Sequence, residues 1–393
     1  MLTLPIEQAR PGMKLAVTVP HPVHPEHDLL RAGYTLAGPV IERMRQLGIT
    51  FLYVDYPPLA DLDRALLPHL SPARKQVYGQ IKRSIESVQA HARPQVSYNQ
   101  YYALTRQFVT SVMQQGKQPI YLDELSTRMG NAAIVHATTV AHLCLMLGIE
   151  LEAHIARQRK RPEHGRPSDL LNLGVAGMLH DLGKSTMPPR LQACHTLHLP
   201  TTDVDRAVWE THAELGYNLI RSEVEASAAA AVRQHHQHYD GSGFPHRRHD
   251  GDDGNFFAGD RIHVYARILF AADLYDRLSF REDGRRRYAF EVLHLIRLHH
   301  AAVIDPDLLS VLPKVIPPFP PGMTVELSDG SNAVVLDLNR AQPYRPTVQR
   351  FATDGWTLAG PRVDLAREPD LAIRSAVGVA VAGMVPDVRS RAA

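Results

Sequence analysis

The feature that constrains this chain most is a long stretch of helical periodicity that ends at a proline run. From about residue 97 to residue 313, apolar residues recur at i, i+3 and i+4 in segments separated by polar breaks. The run Pro317-Pro318-Phe319-Pro320-Pro321-Gly322 then ends the pattern, because proline lacks a backbone N–H and clashes with the preceding turn. We expect a domain of seven or more helices. The segments predicted as helices are 101–115, 125–147, 168–182, 202–221, 226–239, 258–278 and 287–302.

Shorter β patterns flank the helical stretch. Near the N-terminus, an apolar run at 14–19 and the strand Phe51–Val54 surround a helical segment at 40–47. Near the C-terminus, two apolar runs surround Asp329-Gly330, a dipeptide typical of hairpin turns. The expected fold is therefore mainly α, with four parts: an N-terminal β-rich module at 1–58, a helical connector at 59–96, a helical domain at 97–316, and a C-terminal β module with a tail at 317–393.

Composition limits the partners and the compartment. The 43 basic and 41 acidic residues nearly cancel, so no overall field favours a nucleic-acid polymer. Two cysteines, Cys144 and Cys194, exclude a disulfide framework and suit a reducing compartment. The longest apolar runs identified, 226–232 and 376–385, are too short to span a membrane. We expect a cytoplasmic protein with neither a nucleic-acid polymer nor a membrane as partner.

Histidine is concentrated in the helical stretch, where 17 of the 22 histidines lie between His136 and His300. His180-Asp181 closes an apolar helix, and Lys184 follows one turn later. We expect Gly183 to let the chain turn out of that helix. An imidazole beside a carboxylate suits Zn, Fe or Mn, and one carboxylate can bridge two ions.

Two further segments carry metal-binding residue types. The pair His235-His236 precedes a loop whose glycines would allow close backbone approach to a ligand. Asp273 lies in an apolar helix, where a lone carboxylate is costly to bury without a metal or cation. Asp276 and Arg277 share its helix face. The sequence therefore predicts a metal site built from several helices.

In order and spacing, this set resembles the HD-GYP family, a branch of the HD metal-dependent phosphohydrolases, over roughly half of the chain. The flanking runs at 10–15 and 321–327 are similar to modules found beside that domain. The residues that carry the resemblance are His136, the run His180-Asp181-Leu182-Gly183-Lys184, His212, the pair His235-His236, the run Asp240-Gly241-Ser242-Gly243-Phe244-Pro245, and Asp273.

The resemblance implies hydrolysis of a 3′,5′ phosphodiester of cyclic di-GMP to pGpG, with GMP as a further product. It implies two divalent ions, Fe or Mn, that hold a bridging hydroxide as nucleophile. Asp181 and Lys184 would be catalytic, with Lys184 contacting the scissile phosphate or protonating the leaving oxygen. One ion would take His136, His180, Asp181 and Asp273; the other would share Asp181 and take His212, His235 and His236.

The chain departs from the family pattern at several positions. Ala132 replaces a glutamate that supports a third metal in some members, Phe244 replaces the usual tyrosine, and Gln237 replaces a glutamate. Two alternatives therefore stay open: another cyclic dinucleotide such as 3′,3′-cGAMP as substrate, or a nonhydrolytic effector. The flanking modules are candidates for binding protein partners or a second copy of the chain. The expected substrate contacts are Lys184, Asp240, Gly241, Gly243, Phe244, Asp276, Arg277, Arg281 and Arg286. The other histidines, including His195, are expected to be surface or core residues.

Overall fold

The computed structural model describes residues 1–20, 28–49, 51–60, 71–90, 98–114, 132–158, 167–195, 197–245, 258–282 and 286–386. Residues 125–131 of the helix predicted at 125–147, and the tail after residue 386, lie outside these ranges. The described helices are α1 Gly38–Gln46, α2 Ser71–Ala90, α3 Tyr98–Gln114, α4 Ala132–Glu150, α5 Glu152–Gln158, α6 Pro167–Leu179, α7 Pro189–Gln192, α8 Asp203–Glu210, α9 His212–Ile220, α10 Ala226–Gln234, α11 Val264–Leu278, α12 Ala289–His299 and α13 Pro306–Val315. The predicted mainly α fold is confirmed.

Helix α4 runs through the centre of the helical domain. It is long and apolar enough to cross a membrane by length and composition, and 78% of its apolar window is buried inside the protein. Helices α6 and α11 pack against it in one hydrophobic cluster. The expectation that no apolar run has the length of a membrane span was therefore wrong for α4. A helix that is apolar on all sides is typical of the centre of a protein core, which is where α4 lies.

Helix α2 lies in the region predicted as a connector. Its side chains Val77, Ile81 and Val88 are buried in the same cluster as α4 and α6. The spacing of these residues places them on one face of the helix. The connector helix is therefore part of the helical core.

Two β units complete the fold. The strands are β1 Leu2–Pro5, β2 Val19–Pro20, β3 Asp28–Leu30, β4 Phe51–Val54, β5 Thr324–Leu327, β6 Asn332–Asp337, β7 Thr347–Phe351, β8 Leu358–Asp364, β9 Ile373–Ala376 and β10 Val379–Ala380. Strands β1 and β4 pair antiparallel, as do β2 and β3, while β5 to β10 form a six-stranded sheet in the order β10-β9-β5-β6-β7-β8. The predicted Asp329-Gly330 hairpin is confirmed: it joins β5 to β6, and Gly330 has a φ of 83°.

The two β units pack against each other, although the helical domain separates them in sequence. The backbone N–H of Thr3 donates to the carbonyl of Gly322 at 2.8 Å. Val334 and Leu336 of β6 are buried in the same hydrophobic cluster as Leu4 of β1. The modules that flank the helical domain in sequence therefore share a core in space.

One predicted helix is divided into two, at a position that matters for the site. The segment at 202–221 forms α8 and α9, with a break at Thr211. Thr202 caps α8: its side chain accepts a hydrogen bond from the N–H of Asp205 at 3.1 Å. The break makes His212 the first residue of α9.

Candidate metal centre

Five segments bring the predicted metal ligands together. His136 lies on α4, His180 and Asp181 follow α6, and Asp273 lies on α11. His212 begins α9, and the pair His235-His236 follows α10. Six of these seven side chains are buried, and that of Asp181 is 12% exposed. The structure thus gathers all seven residues, although up to 137 positions separate them in the sequence.

The first cluster forms around His136. Its Nε2 lies 2.9 Å from Oδ1 of Asp273 and 3.1 Å from Nε2 of His180. The His180 Nε2 atom lies 3.5 Å from Oδ2 of Asp181 and 3.8 Å from Oδ1 of Asp273. One ligand atom each from His136, His180 and Asp181 therefore lies within 4.8 Å of the others, and Asp273 lies beside the two imidazoles.

The second cluster forms around His212. Its Nε2 lies 3.0 Å from Nε2 of His236 and 3.4 Å from Nε2 of His235. Oδ1 of Asp181 lies 3.6 Å from Nε2 of His212 and 3.8 Å from Nε2 of His235. One ligand atom from each of these four residues fits within a 4.8 Å span. Asp181 belongs to both clusters.

Hydrogen bonds at the outer nitrogen orient these imidazoles. His180, His212 and His235 each pair Nδ1 with the carbonyl of the residue three positions earlier, at 2.9, 2.7 and 2.7 Å. A neutral imidazole that donates from Nδ1 carries its lone pair on Nε2. His136 instead places Nδ1 2.6 Å from Oδ2 of Asp276, an arrangement typical of metal-ligating histidine. The Nε2 atoms of all four rings therefore point into the two clusters.

This geometry fits divalent cations. Nε2 lone pairs that face one another at 3.0 to 3.4 Å repel unless a proton or a cation lies between them. Oδ1 of Asp181 is buried and accepts no hydrogen bond, which is costly unless a cation is bound. Burial lowers the pKa of His180 to about 3 and holds the pKa of His212 well below its usual value. These imidazoles are neutral, as metal ligation requires.

Two cations contact the other oxygen of Asp181. Lys184 Nζ lies 2.7 Å and Arg277 Nη2 2.9 Å from Oδ2. Burial opposes ionisation of Asp181, but the charges of Lys184 and Arg277 outweigh it and hold its pKa well below the usual range. Burial lowers the pKa of Lys184, although Asp181 opposes this shift. Lys184 lies beside the candidate metal ligands, where its predicted catalytic role requires it.

Aromatic rings support the second cluster. The ring centroid of Trp209 lies 4.9 Å from that of His212 and 5.7 Å from that of His236, and Lys184 Nζ lies 5.5 Å from the same indole. Phe244 stacks on His236 at 4.5 Å. Sequence reasoning missed Trp209, although its position three residues before His212 was a usable signal.

Gly183 and Gly243 lie where two backbone segments pack too closely to leave room for a side chain. A Cβ on Gly183 would lie 2.0 Å from the carbonyl oxygen of His212, and one on Gly243 would lie 2.1 Å from that of His236. Gly183 is not among the positive-φ residues, so the expectation that it lets the chain turn out of the helix was wrong. The missing side chain of Gly243 makes room for the carbonyl of His236, and the expectation that the loop glycines admit a ligand stays a prediction.

The structure gives the predicted substrate contacts several different partners. Asp240 accepts hydrogen bonds from the backbone and hydroxyl of Ser242, and Gly241 turns with a φ of 84°. The carboxylate of Asp276 lies on His136, and Arg277 lies on two candidate metal ligands. Farther along the chain, Arg281 pairs with Glu291, and the guanidinium of Arg286 lies 5.9 Å from the ring of Phe280. Substrate contact by these side chains stays a prediction.

His195 is closer to the site than expected. Burial and the charges of Arg277, His198 and Lys184 lower its pKa to about 3. Its Nδ1 accepts a hydrogen bond from the N–H of Leu197 at 3.3 Å, so the neutral ring carries its proton on Nε2. The preceding residue, Cys194, accepts from the indole N–H of Trp209 at 3.1 Å.

Comparison with known proteins agrees with the geometry. Residues 146–308 match the family model of the HD domain. The chain is 25% identical over 242 residues to cyclic di-GMP phosphodiesterase PA4108 of Pseudomonas aeruginosa, covering 59% of this chain and 51% of that protein. It is 34% identical over 145 residues to the cyclic di-GMP phosphodiesterase response regulator RpfG of Xanthomonas campestris pv. campestris, covering 35% of this chain and 34% of that protein.

A solved structure is also similar: Bd1817, described as an HDG"Y"P protein from Bdellovibrio bacteriovorus, has 15% sequence identity and a TM-score of 0.42, covering 79% of this chain and 97% of that one. The chain spans about half the length of one curated relative and about a third of the other. Residues 146–308 are thus similar to the HD domain, and both curated relatives are named cyclic di-GMP phosphodiesterases, in agreement with the predicted resemblance to the HD-GYP family.

Proposed function

We propose that this protein is a metal-dependent phosphodiesterase that hydrolyses cyclic di-GMP. The observation that carries the proposal is the position of Asp181 between two groups of imidazoles. Its two oxygens face different clusters, as a carboxylate that bridges two ions requires. Both curated relatives are named cyclic di-GMP phosphodiesterases, which supports the choice of substrate.

The metal count and the ligand sets form part of the proposal. One ion would be held by His136, His180, Asp181 and Asp273. The other ion would be held by Asp181, His212, His235 and His236. Nitrogen and oxygen donors of this kind suit Fe or Mn. Ions bound here would act as Lewis acids on phosphoryl oxygens and lower the pKa of a bound water.

The side chains around the clusters have separate tasks in this proposal. Lys184 is a cation held beside Asp181 at 2.7 Å, where it would bind a nonbridging phosphate oxygen or protonate the leaving 3′ oxygen. Asp276 holds His136 in the orientation that directs Nε2 inward. Phe244 and Trp209 cover the second cluster and exclude water from that side. The product would be pGpG, with GMP as the end point if a second bond is cleaved.

The proposal is tested with purified protein loaded separately with Mn²⁺ and Fe²⁺. We expect turnover of cyclic di-GMP by the wild type and a loss of at least 100-fold in Asp181→Asn, since the shared carboxylate is weakened toward both ions. Asp205→Asn is the matched control, because Asp205 is a half-buried aspartate that pairs with Arg190 outside both clusters. An absence of turnover with either metal, in protein shown to contain it, would contradict the proposal.

Substrate choice has a second candidate. Gln237 donates from Nε2 to the carbonyl of Pro245 at 2.7 Å, a bond that a carboxylate at this position would not donate. The loop after His236 is thus held by a hydrogen bond that Gln237 can donate and that the glutamate usual in the family could not. Rates on cyclic di-GMP and 3′,3′-cGAMP, measured side by side, decide between the two substrates. Saturable binding of either nucleotide to metal-loaded protein without product would favour a nonhydrolytic effector.

The partners and the location of the chain stay predictions. The two β units bury surface against each other, and their outer faces are where we expect a protein partner or a second copy. A cytoplasmic location follows from the cysteine content and the nucleotide substrate. Fractionation of cells that express a tagged full-length protein would test it.

A further inference from the structure

The two oxygens of Asp181 have different surroundings. Oδ1 is buried, accepts no hydrogen bond and faces His212 and His235 of the second cluster. Oδ2 faces His180 of the first cluster and is in contact with two cations, Lys184 Nζ at 2.7 Å and Arg277 Nη2 at 2.9 Å. Oδ1 of Asp181 is therefore available to an ion at the second cluster. Oδ2, on the side of the first cluster, is already paired with Lys184 and Arg277.

Arg277 also pairs with the other carboxylate of the first cluster. Its Nε lies 3.3 Å from Oδ1 of Asp273, one helical turn earlier on α11. The guanidinium thus joins Asp181 to Asp273, and its side chain is only 16% exposed. A guanidinium keeps its charge at all accessible pH values and fits two carboxylate oxygens in a fixed geometry. The guanidinium of Arg277 therefore pairs with both carboxylates that would bind an ion at the first cluster.

We propose that Arg277 competes with the metal ion of the first cluster, so that the two sites fill in order and with unequal affinity. The second cluster, Asp181 with His212, His235 and His236, binds its ion first and tightly. The first cluster, His136 and His180 with Asp181 and Asp273, binds its ion only when the guanidinium of Arg277 leaves both oxygens. This inference rests on the proposed function only in treating both clusters as metal sites.

The competition follows from elementary electrostatics. A divalent ion at the first cluster would lie within a few ångströms of the positive charge that now occupies the same two oxygens, and like charges at that distance repel strongly in a buried site. Two charge-assisted hydrogen bonds must also be broken before the ion binds. At the second cluster, the Asp181 oxygen accepts no hydrogen bond and requires no such exchange.

The test is a calorimetric titration of metal-free protein with Mn²⁺. For the wild type we expect two classes of site whose dissociation constants differ at least tenfold. In Arg277→Ala the weaker class should tighten at least tenfold, while the tighter class changes less than threefold. Arg350→Ala is the matched control, since this arginine pairs with Asp329 at 2.9 Å in the C-terminal sheet and should leave both classes unchanged. His236→Ala should remove the tight class and Asp273→Asn the weak one.

Equal affinity of both sites in the wild type would overturn the inference, and this result needs no variant. A weak class that is unchanged in Arg277→Ala would also overturn it. Circular dichroism and thermal unfolding establish that each variant is folded, and Arg277→Gln replaces Arg277→Ala if the alanine variant is not. Because the readout is metal binding, unequal sites in a protein that does not hydrolyse cyclic di-GMP would uphold this inference and contradict the proposed function.

Discussion

At the residue scale, the site depends on how each imidazole is held. Three of the histidines pair Nδ1 with a carbonyl of their own segment, whereas His136 pairs with Asp276 on another helix. A carboxylate in that position orients the ring and raises the basicity of the metal-binding nitrogen. Asp276 is therefore the one orienting group among these four that a side-chain substitution can remove.

We predict that Asp276→Asn weakens metal binding at the first cluster by about 10- to 100-fold, the usual effect of losing such a partner. Equilibrium dialysis against Mn²⁺ measures the change. Asp329→Asn is the control, because Asp329 pairs with Arg350 at 2.9 Å in the C-terminal sheet and belongs to neither cluster. Equal losses in the two variants, or none in Asp276→Asn, would show that Asp276 has no specific role.

The buried imidazoles also predict a dependence of stability on pH. Burial lowers the pKa of His180 to about 3 and holds those of His212, His235 and His236 below the usual value. As the pH falls below about 6.5, the unfolded chain binds protons at these histidines while the folded protein does not, so unfolding is favoured. Their contribution to stability is full above about pH 6.5 and is lost as the pH falls toward 3.

One histidine acts in the opposite direction. Burial and Arg277 lower the pKa of His136, but its hydrogen bonds to Asp273 and Asp276 outweigh them and raise it. Its contribution is present at acidic pH and is lost as the pH rises through the raised pKa. With four imidazoles against one, we expect the melting temperature of metal-free protein to be lower at pH 5.5 than at pH 7.5. A melting temperature that is equal or higher at pH 5.5 would contradict this reading of the site.

At the element scale, backbone contacts set the position of the ligands. The 3₁₀ segment Leu182–Thr186 packs against α9 so closely that Gly183 meets the carbonyl of His212. The length of α8 and the break at Thr211 then place His212 at the start of α9. The second cluster is thus built by the approach of two backbone segments as well as by its side chains.

We predict that Gly183→Ala destabilises the protein by about 1 to 3 kcal/mol, the usual cost of overpacking, and weakens metal binding through the displacement of His212. Gly79→Ala in α2 is the control: its Cβ would meet only the end of Arg83 at 3.6 Å, and alanine is favoured over glycine within a helix by about 0.5 to 1 kcal/mol. Denaturant unfolding should therefore give opposite signs for the two variants. Equal stability of Gly183→Ala and wild type would contradict the packing argument.

Residues and elements differ in how far the sequence predicts them. The ligand set His136, His180-Asp181, His212, His235-His236 and Asp273 was predicted from the resemblance to the HD-GYP family, because the order and spacing of the whole set are specific where a single histidine is not. The contacts of Asp276, Arg277 and Trp209 could not, because they depend on distances between segments that only packing determines. The break at Thr211 was missed for a similar reason: helical periodicity continues across a one-residue break.

At the scale of the whole molecule, the two β units share one hydrophobic cluster. The sequence predicts both modules and the Asp329-Gly330 hairpin, because turn chemistry and alternation are local signals. It does not predict that β6 supplies Val334 and Leu336 to the cluster around Leu4, since nothing local indicates which surface covers them. This packing ties the two ends of the described chain together around the helical domain.

We predict that Leu4→Ala and Leu336→Ala each destabilise the protein by about 2 to 5 kcal/mol, the usual range for buried leucine. Because both side chains lie in one cluster, the double variant should deviate from additivity by about 0.5 kcal/mol or more. Leu298→Ala is the control, since Leu298 is 61% exposed and its loss should have little effect. Additive losses in the double variant would show that the two leucines act in separate cores.

The central claim is that the two clusters around Asp181 form a metal-dependent phosphodiesterase centre. The most direct measurement is mass spectrometry of the products formed from cyclic di-GMP by Mn²⁺- or Fe²⁺-loaded protein in ¹⁸O-labelled water. The account predicts pGpG with one ¹⁸O atom in its terminal 5′-phosphate, and the loss of this product in Asp181→Asn. Unchanged cyclic di-GMP in the presence of fully loaded wild-type protein, or product that forms equally in Asp181→Asn, would contradict it.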